Sequence, residues 1–183
     1  MQFNTKIQMI RKLVFFWLLI LNGVLLFGQK FESPASNKEQ FEAQYQKRIK
    51  LDSINGVYIP KNTNDAFDQL NKKIDAKSKE KFMKTSEDTI SRIAVKSLGS
   101  WMIRNWSFFE GSRLAAYLKT IGVFHPEDQA AFLVIGYYRY LNKLPLEEEK
   151  RIKEIQEKRK AEVNARKLKG TLLSEEKLKS NKK

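Results

Sequence analysis

Apolar positions along the 183-residue chain fall into distinct regimes. Residues 13–28, "LVFFWLLILNGVLLFG", carry no charge and follow the basic residues Lys6, Arg11 and Lys12. Residues 29–56 are polar, with Ser33, Pro34 and Ser36 near their start, and read as a flexible linker with a helical turn or two around residues 39–51. "VYIP" (57–60) is a short extended lead-in, because the residue before a proline avoids the helical region. Helical spacing then takes over. Phe67, Leu70 and Ile74 stand at i, i+3 and i+7 behind Asn62 or Thr63 as N-cap. "KSKEKFMK" predicts a short second helix whose apolar residues are Phe82 and Met83. Ser86 opens a third, with Glu87 and Asp88 at its positive end and Ile90, Ile93 or Ala94, Leu98 and Trp101 along one face as far as Asn105. Gly111 and Ser112 open a fourth, with Leu114, Leu118 and Ile121 inward and Gly122 as its stop. "HPED" (125–128) opens a fifth, which runs through Ala131, Val134, Tyr137, Tyr138 and Leu141 to about residue 142 before Pro145 ends the domain. Period-two alternation is missing, so the expected class is all-α: a bundle of about five short helices with an extended charged C-terminal helix.

That last helix spans residues 146–169 by composition. Glu147–Arg151, Glu149–Lys153, Glu154–Lys158 and Glu162–Arg166 are acid-before-base pairs at i, i+4. Its apolar stripe, Ile152, Ile155, Val163 and Leu168, is thin, which predicts a helix projecting into solvent or lying loosely on a partner. Residues 170–183 are expected to fray. The organisation is thus 1–28 leader, 29–56 linker, 57–146 helical domain and 147–183 charged helix and tail, with the 57–146 segment expected to fold alone.

Charge and cysteine content change the picture in one respect. The basic start and uncharged run fit a secretory signal peptide, cleaved before Gln29, with an uncleaved membrane anchor through residues 13–28 as the alternative. No cysteine is present, so disulfides, thiolate chemistry and cysteine zinc sites are excluded, and an exported chain would rest on its apolar core. A bacterial cell envelope, periplasmic or secreted, suits such a chain. The formal charge of +14 is spread out: residues 29–146 hold 19 basic against 13 acidic side chains, and residues 147–183 hold 13 against 8. This predicts modest attraction to anionic envelope surfaces, with nucleic acid an unlikely partner for an exported chain.

The stretch "GSWMIRNWSFFEGSRL" (99–114) and its continuation carry a resemblance. Trp101, Arg104, Asn105 and Trp106, then Ser112, Arg113 and Leu114, then Gly122, His125, Pro126 and Asp128, then Arg139, Tyr140 and Leu141 form one pattern. It resembles a family of small uncharacterised bacterial domains over about residues 57–146. Members often continue the first motif with Gly-Leu-Trp, where this chain has Ser107, Phe108 and Phe109. The resemblance implies a fold boundary and no reaction.

The chemistry of that stretch leaves alternatives open. Trp101 in the core with Trp106 capping the helix end is one reading. Trp106 and Phe109 as a stacking floor flanked by Arg104 and Arg113, receiving an anionic or sugar ligand, is another. Both arginines could instead pair with Glu110 or Asp128; Arg104 is expected to be structural, with Arg113 and His125 nearer the surface. His125, the single histidine, would need Asp128 as partner and Ser112 as nucleophile to act as a general base. No metal or cofactor pattern is present. The binding-surface candidates are therefore Arg104, Asn105, Trp106, Arg113, His125 and Asp128. The expected function is a non-enzymatic binding module for a protein or an anionic envelope ligand. A small hydrolase and an immunity- or chaperone-like protein are the alternatives.

Overall fold

Local caps fix most helix starts where the sequence places them. The computed structural model describes residues 34–180, with side chains described to residue 169, so the leader read at residues 1–28 lies outside the described residues. The chain runs α1 (Lys38–Arg48), β1 (Ser53–Ile54), β2 (Val57–Tyr58), α2 (Thr63–Lys73), α3 (Ala76–Lys84) and α4 (Glu87–Ala94). A π-helical segment (Val95–Gly99) joins α4 to α5 (Ser100–Asn105), followed by α6 (Arg113–Thr120), α7 (Pro126–Leu141) and α8 (Glu148–Ser180). Asn62, Ser86 and Ser112 each accept a hydrogen bond from a backbone N–H three residues on, satisfying a donor the helix leaves free. Pro126 takes the first position of α7, with Glu127 and Asp128 in its first turn.

The fold is mainly α, with one addition the pattern did not predict. β1 and β2 pair antiparallel, Ser53 opposite Tyr58 and Ile54 opposite Val57. Asn55 (φ 50°) and Gly56 (φ 74°) make the turn, the Asn-Gly pair whose left-handed backbone matches strand twist. α1, β1 and the turn fall within the segment read as linker, whereas β2 lies in the stretch read as an extended lead-in. α1 has no buried residue, yet Tyr45 lies over Gly111, where an added Cβ would come within 2.2 Å of its ring. Gly111 has φ 92°, so that close approach needs glycine twice over.

α7 is the centre of the core. Gln129, Ala130, Phe132, Leu133, Val134, Gly136, Tyr137 and Tyr138 are all buried along it, and α2, α3, α4, α5, α6 and α8 pack around it. Phe67 and Leu70 of α2 are buried as expected, and Tyr137 donates a hydrogen bond to Asn71 Oδ1 at 2.9 Å. Burial pushes the Tyr137 hydroxyl up to about 12, the nearby Tyr140 adding to it. Met83 is exposed, so Phe82 alone makes α3's aromatic contact, against Tyr137 and Tyr138.

The π-helical segment overturns the predicted stripe of the third helix. Ile90 and Ala94 are buried, but an α-helix would next bury positions 98 and 101. A π turn holds more residues than an α turn. Burial therefore passes to Gly99, Met102 and Trp106, leaving Leu98 and Trp101 half-buried and Ile93 64% exposed. Trp106 caps the end of α5 as expected, but it is also fully buried while Trp101 is only half-buried, so the core tryptophan is Trp106. Five positions apart, the two indoles would diverge on a continuous α-helix, yet they meet edge to face at 5.5 Å. Trp106 leaves helical geometry (φ −102°, ψ 13°), which turns its ring toward Trp101.

Ser107 follows with φ 50°, a left-handed backbone that favours glycine. A side chain there is strained by about 1 kcal/mol. Ser107→Gly is expected to raise stability by roughly that amount in urea denaturation. A loss of stability would mean that the serine makes a contact outweighing the strain.

α8 departs furthest from expectation. Its first three turns do not project. Arg151 is only 8% exposed, and Ile152 and Ile155 pack on the core. Of the acid–base pairs read from its sequence, Glu147 instead pairs with Arg139 (2.9 Å) and Lys150 (3.5 Å), and Glu162 with Arg159 (3.4 Å).

Candidate functional site

The predicted binding residues separate when the chain folds. Arg113 and His125 stand at opposite ends of α6, whose eight residues span about 12 Å. Arg113 Nε donates to the Ile59 carbonyl at 2.7 Å, and its guanidinium lies 5.0 Å from the centre of the Tyr58 ring. It pins the hairpin to the domain and pairs with neither Glu110 nor Asp128. Tyr58 in turn donates to Asp65 Oδ2 at 2.9 Å, and the Lys61 N–H donates to the same oxygen at 2.9 Å. Burial by itself would raise the Asp65 carboxyl, but those hydrogen bonds and the nearby Arg113 charge hold it below its usual value. Arg104, expected to be a clamp, is exposed and bonded to no described residue. The two arginine roles are therefore exchanged. Arg113→Ala is expected to cost about 1.5–3 kcal/mol, the range for a hydrogen bond to a charged group, while Arg104→Ala stays within about 0.5 kcal/mol. Equal melting midpoints for the two variants would contradict the assignment.

The other candidates are mostly engaged as structure. Asn105 Nδ2 donates to the Trp101 carbonyl at 2.8 Å, and Trp106 is too buried to floor a site. Phe109, 58% exposed, is the one ring of that pair facing solvent. His125 is exposed at the N-cap of α7 and makes no side-chain cap bond. Asp128 receives two hydrogen bonds from Arg159, at 2.6 and 3.1 Å, and Ser112 is fully buried with its Oγ capping α6. No nucleophile–base–acid chain is assembled from His125, Asp128 and Ser112. Among the described residues, no group of three or more His, Asp or Glu side chains could hold a metal.

The arrangement the sequence did not announce lies between α4, α7 and α8. There a groove of about 420 Å³ has Ala131, Phe132, Ile135 and Ile155 as apolar surface. Glu87, Asp88 and Ser91 form one bank, and Arg151, Glu154 and Lys158 the other. Most of the polar bank is already neutralised. Glu87 accepts from Arg139 Nε at 3.0 Å, and Asp88 pairs with Arg92 at 2.8 Å. Arg139, the arginine of the Arg-Tyr-Leu motif, also donates to the Pro145 carbonyl at 2.7 Å, fixing the turn that delivers α8. Its pKa is raised, first by the hydrogen bond to Glu87.

Arg151 is the unusual member. Its Nη1 donates to the Leu146 carbonyl at 3.1 Å and its Nη2 to the Phe132 carbonyl, with the guanidinium 4.4 Å from the Phe132 ring centre. No carboxylate among the described residues forms an ion pair with it. Burial, and then repulsion from Arg139, push its pKa down to about 10, so it remains charged at neutral pH. Farther along α8, Gln156 Nε2 donates to the Gly122 carbonyl at 3.0 Å; Gly122 has φ 96°, and a Cβ there would meet that amide at 2.6 Å. A buried arginine on a helix that reads as solvated has no sequence signature, which is why Arg151 was read only as half of a surface pair.

Helices gathered around one buried helix, with a shallow two-stranded hairpin at the edge, define a small mainly-α domain. Residues 59–141 match the family model of a domain of unknown function, DUF6794. No curated protein and no solved structure matches the chain. The matched stretch ends with α7, so the α8 bank of the groove, Arg151, Glu154, Ile155 and Lys158, is contributed from beyond it.

Proposed function

We propose that this protein is a non-enzymatic binding module of a bacterial cell envelope, exported by its leader, and that the groove between α4, α7 and α8 is its ligand site. One observation carries the reading: an open apolar floor flanked by a buried cation, Arg151, that is hydrogen-bonded to carbonyls and in contact with no described carboxylate. The volume falls within the range of about 300–1,000 Å³ usual for small-molecule sites, and an apolar lining with a few placed polar groups is their common composition. Export rests on the basic start and the uncharged run at residues 13–28. N-terminal sequencing of the mature protein is expected to give Gln29 from outside the cytoplasm; Met1 in a soluble cytoplasmic fraction would defeat that part. For the groove, a neutral solvatochromic dye such as Nile red is expected to brighten on the full chain. Brightening should be lost in Ser91→Trp, which fills the groove from an exposed helix position. Unchanged fluorescence in that variant would remove the groove as the site.

A second reading has one observation in its favour. Phe109 and Arg104 are both exposed around the α5–α6 turn, a pairing of aromatic and arginine common where proteins dock. It would make the chain a protein-binding module of the immunity or chaperone kind. Phe109→Ser is expected to abolish capture of such a partner while leaving the melting midpoint in place.

A further inference from the structure

Resting on the groove reading above, we infer that the ligand is an anionic amphiphile, an aliphatic chain ending in a single carboxylate, with the carboxylate on Arg151 and the chain along Phe132, Ile135 and Ile155. The charges left in the groove once its internal pairs are formed point to this. Asp88 is taken by Arg92 and Glu87 by Arg139, which leaves Arg151 and Lys158 against Glu154. The deepest of these charges is the guanidinium, which no described carboxylate touches.

A guanidinium withdrawn from water and held by two carbonyls and a ring face has Glu148, Glu87 and Glu154 in its neighbourhood but lacks the contacting carboxylate that buried cations ordinarily find. A carboxylate matches its planar fork with two parallel charge-assisted hydrogen bonds. Of the five N–H donors on an arginine, the two carbonyls occupy one each. Donors therefore remain for a ligand oxygen arriving from the groove. The rest of the ligand meets no polar demand. The side chains of Ala131, Phe132, Ile135 and Ile155 offer only carbon, so the group attached to the carboxylate is a hydrocarbon, and the narrow run along them suits a chain. Ser91 and Lys158, at the banks, tolerate either water or a polar end.

The test uses the full chain and three probes of one length: octanoate, octanol and octylammonium, each below its micelle-forming concentration and followed by isothermal titration calorimetry. Octanoate is expected to bind at least tenfold more tightly than octanol, and octylammonium not measurably. Ser91→Trp should abolish octanoate binding. Arg151→Gln should bring octanoate down to the affinity of octanol; if that variant does not fold, the probe ranking and Ser91→Trp still decide the matter. Octanol or octylammonium matching octanoate would overturn the carboxylate assignment while leaving the groove as a binding site. A fourth probe, octyl phosphate, binding more tightly than octanoate would overturn that assignment too, since a single fork would then be the wrong cradle. Binding of octanoate unchanged by Ser91→Trp would place the amphiphile elsewhere and overturn the inference. Failure of all three probes to bind would overturn it too, and Nile red would then report separately whether the groove takes any apolar ligand.

Discussion

Trp106→Ala is expected to be among the most destabilising single substitutions in the chain, at about 3–5 kcal/mol, the usual cost of truncating a fully buried large aromatic. Trp106 is inaccessible to solvent, meets Trp101 edge to face at 5.5 Å and lies 6.4 Å from Phe108, so a cavity left there has rigid walls. Against a typical total of about 5–15 kcal/mol, a loss of this size removes much of the folding free energy. Trp101→Ala, at a half-buried position, is expected to cost about 1–3 kcal/mol, because part of its ring is already in water. Trp106→Phe adds a finer comparison. The Trp106 indole N–H is buried without a described partner, so phenylalanine deletes an unsatisfied donor while keeping an aromatic face. It should cost markedly less than alanine. Urea midpoints for the three variants give the order, and equal losses at positions 101 and 106 would show that the π-helical shift does not set the core.

Removal of α8 is the second large effect. A chain of residues 37–146 is expected to melt roughly 10–20 °C below one of residues 37–169, corresponding to about 3–5 kcal/mol. The contributions are identifiable. Ile152 and Ile155 cover the core, Arg159 holds both oxygens of Asp128, and Gln156 and Arg151 satisfy the carbonyls of Gly122 and Phe132. Each hydrogen bond contributes on the order of 1 kcal/mol, and each half-buried isoleucine a similar amount. The sequence-based expectation that residues 57–146 fold as a complete unit is revised accordingly, because part of their surface is finished by a helix beyond them. Coincident melting of the two chains would return α8 to the role of a solvated appendage.

Several elements were legible because their causes are local. Asn62, Ser86, Ser112 and Pro126 mark helix starts through bonds to groups a few residues away, and Gly122 marks a stop through its own φ of 96°. The Asn55–Gly56 turn is equally local, an Asn-Gly pair between two short strands, but it falls in a stretch too polar and too brief to show strand alternation. The aromatic and arginine pattern is visible in the sequence, but spacing alone places its members on the wrong sides of the helix. Ser112 and Asp128 turned out to be a cap and an ion-pair partner, so residues close in sequence did not assemble into chemistry.

What the sequence determined by itself is the helical class, the caps, the absence of cysteine and the apolar faces of α2, α6 and α7, since each follows from spacing or residue type within a turn or two. Which tryptophan is core was decided by tertiary structure, because a single π turn inside the third helix shifts every later residue relative to the buried face. Tertiary structure also decided that Arg151 is buried and Arg104 is not. An arginine's environment depends on which helix packs over it, and the surfaces meeting at Arg151 come from α7 and α8, 19 positions apart along the chain between Phe132 and Arg151. The groove exists for the same reason: its banks belong to three helices, and only their packing brings them together.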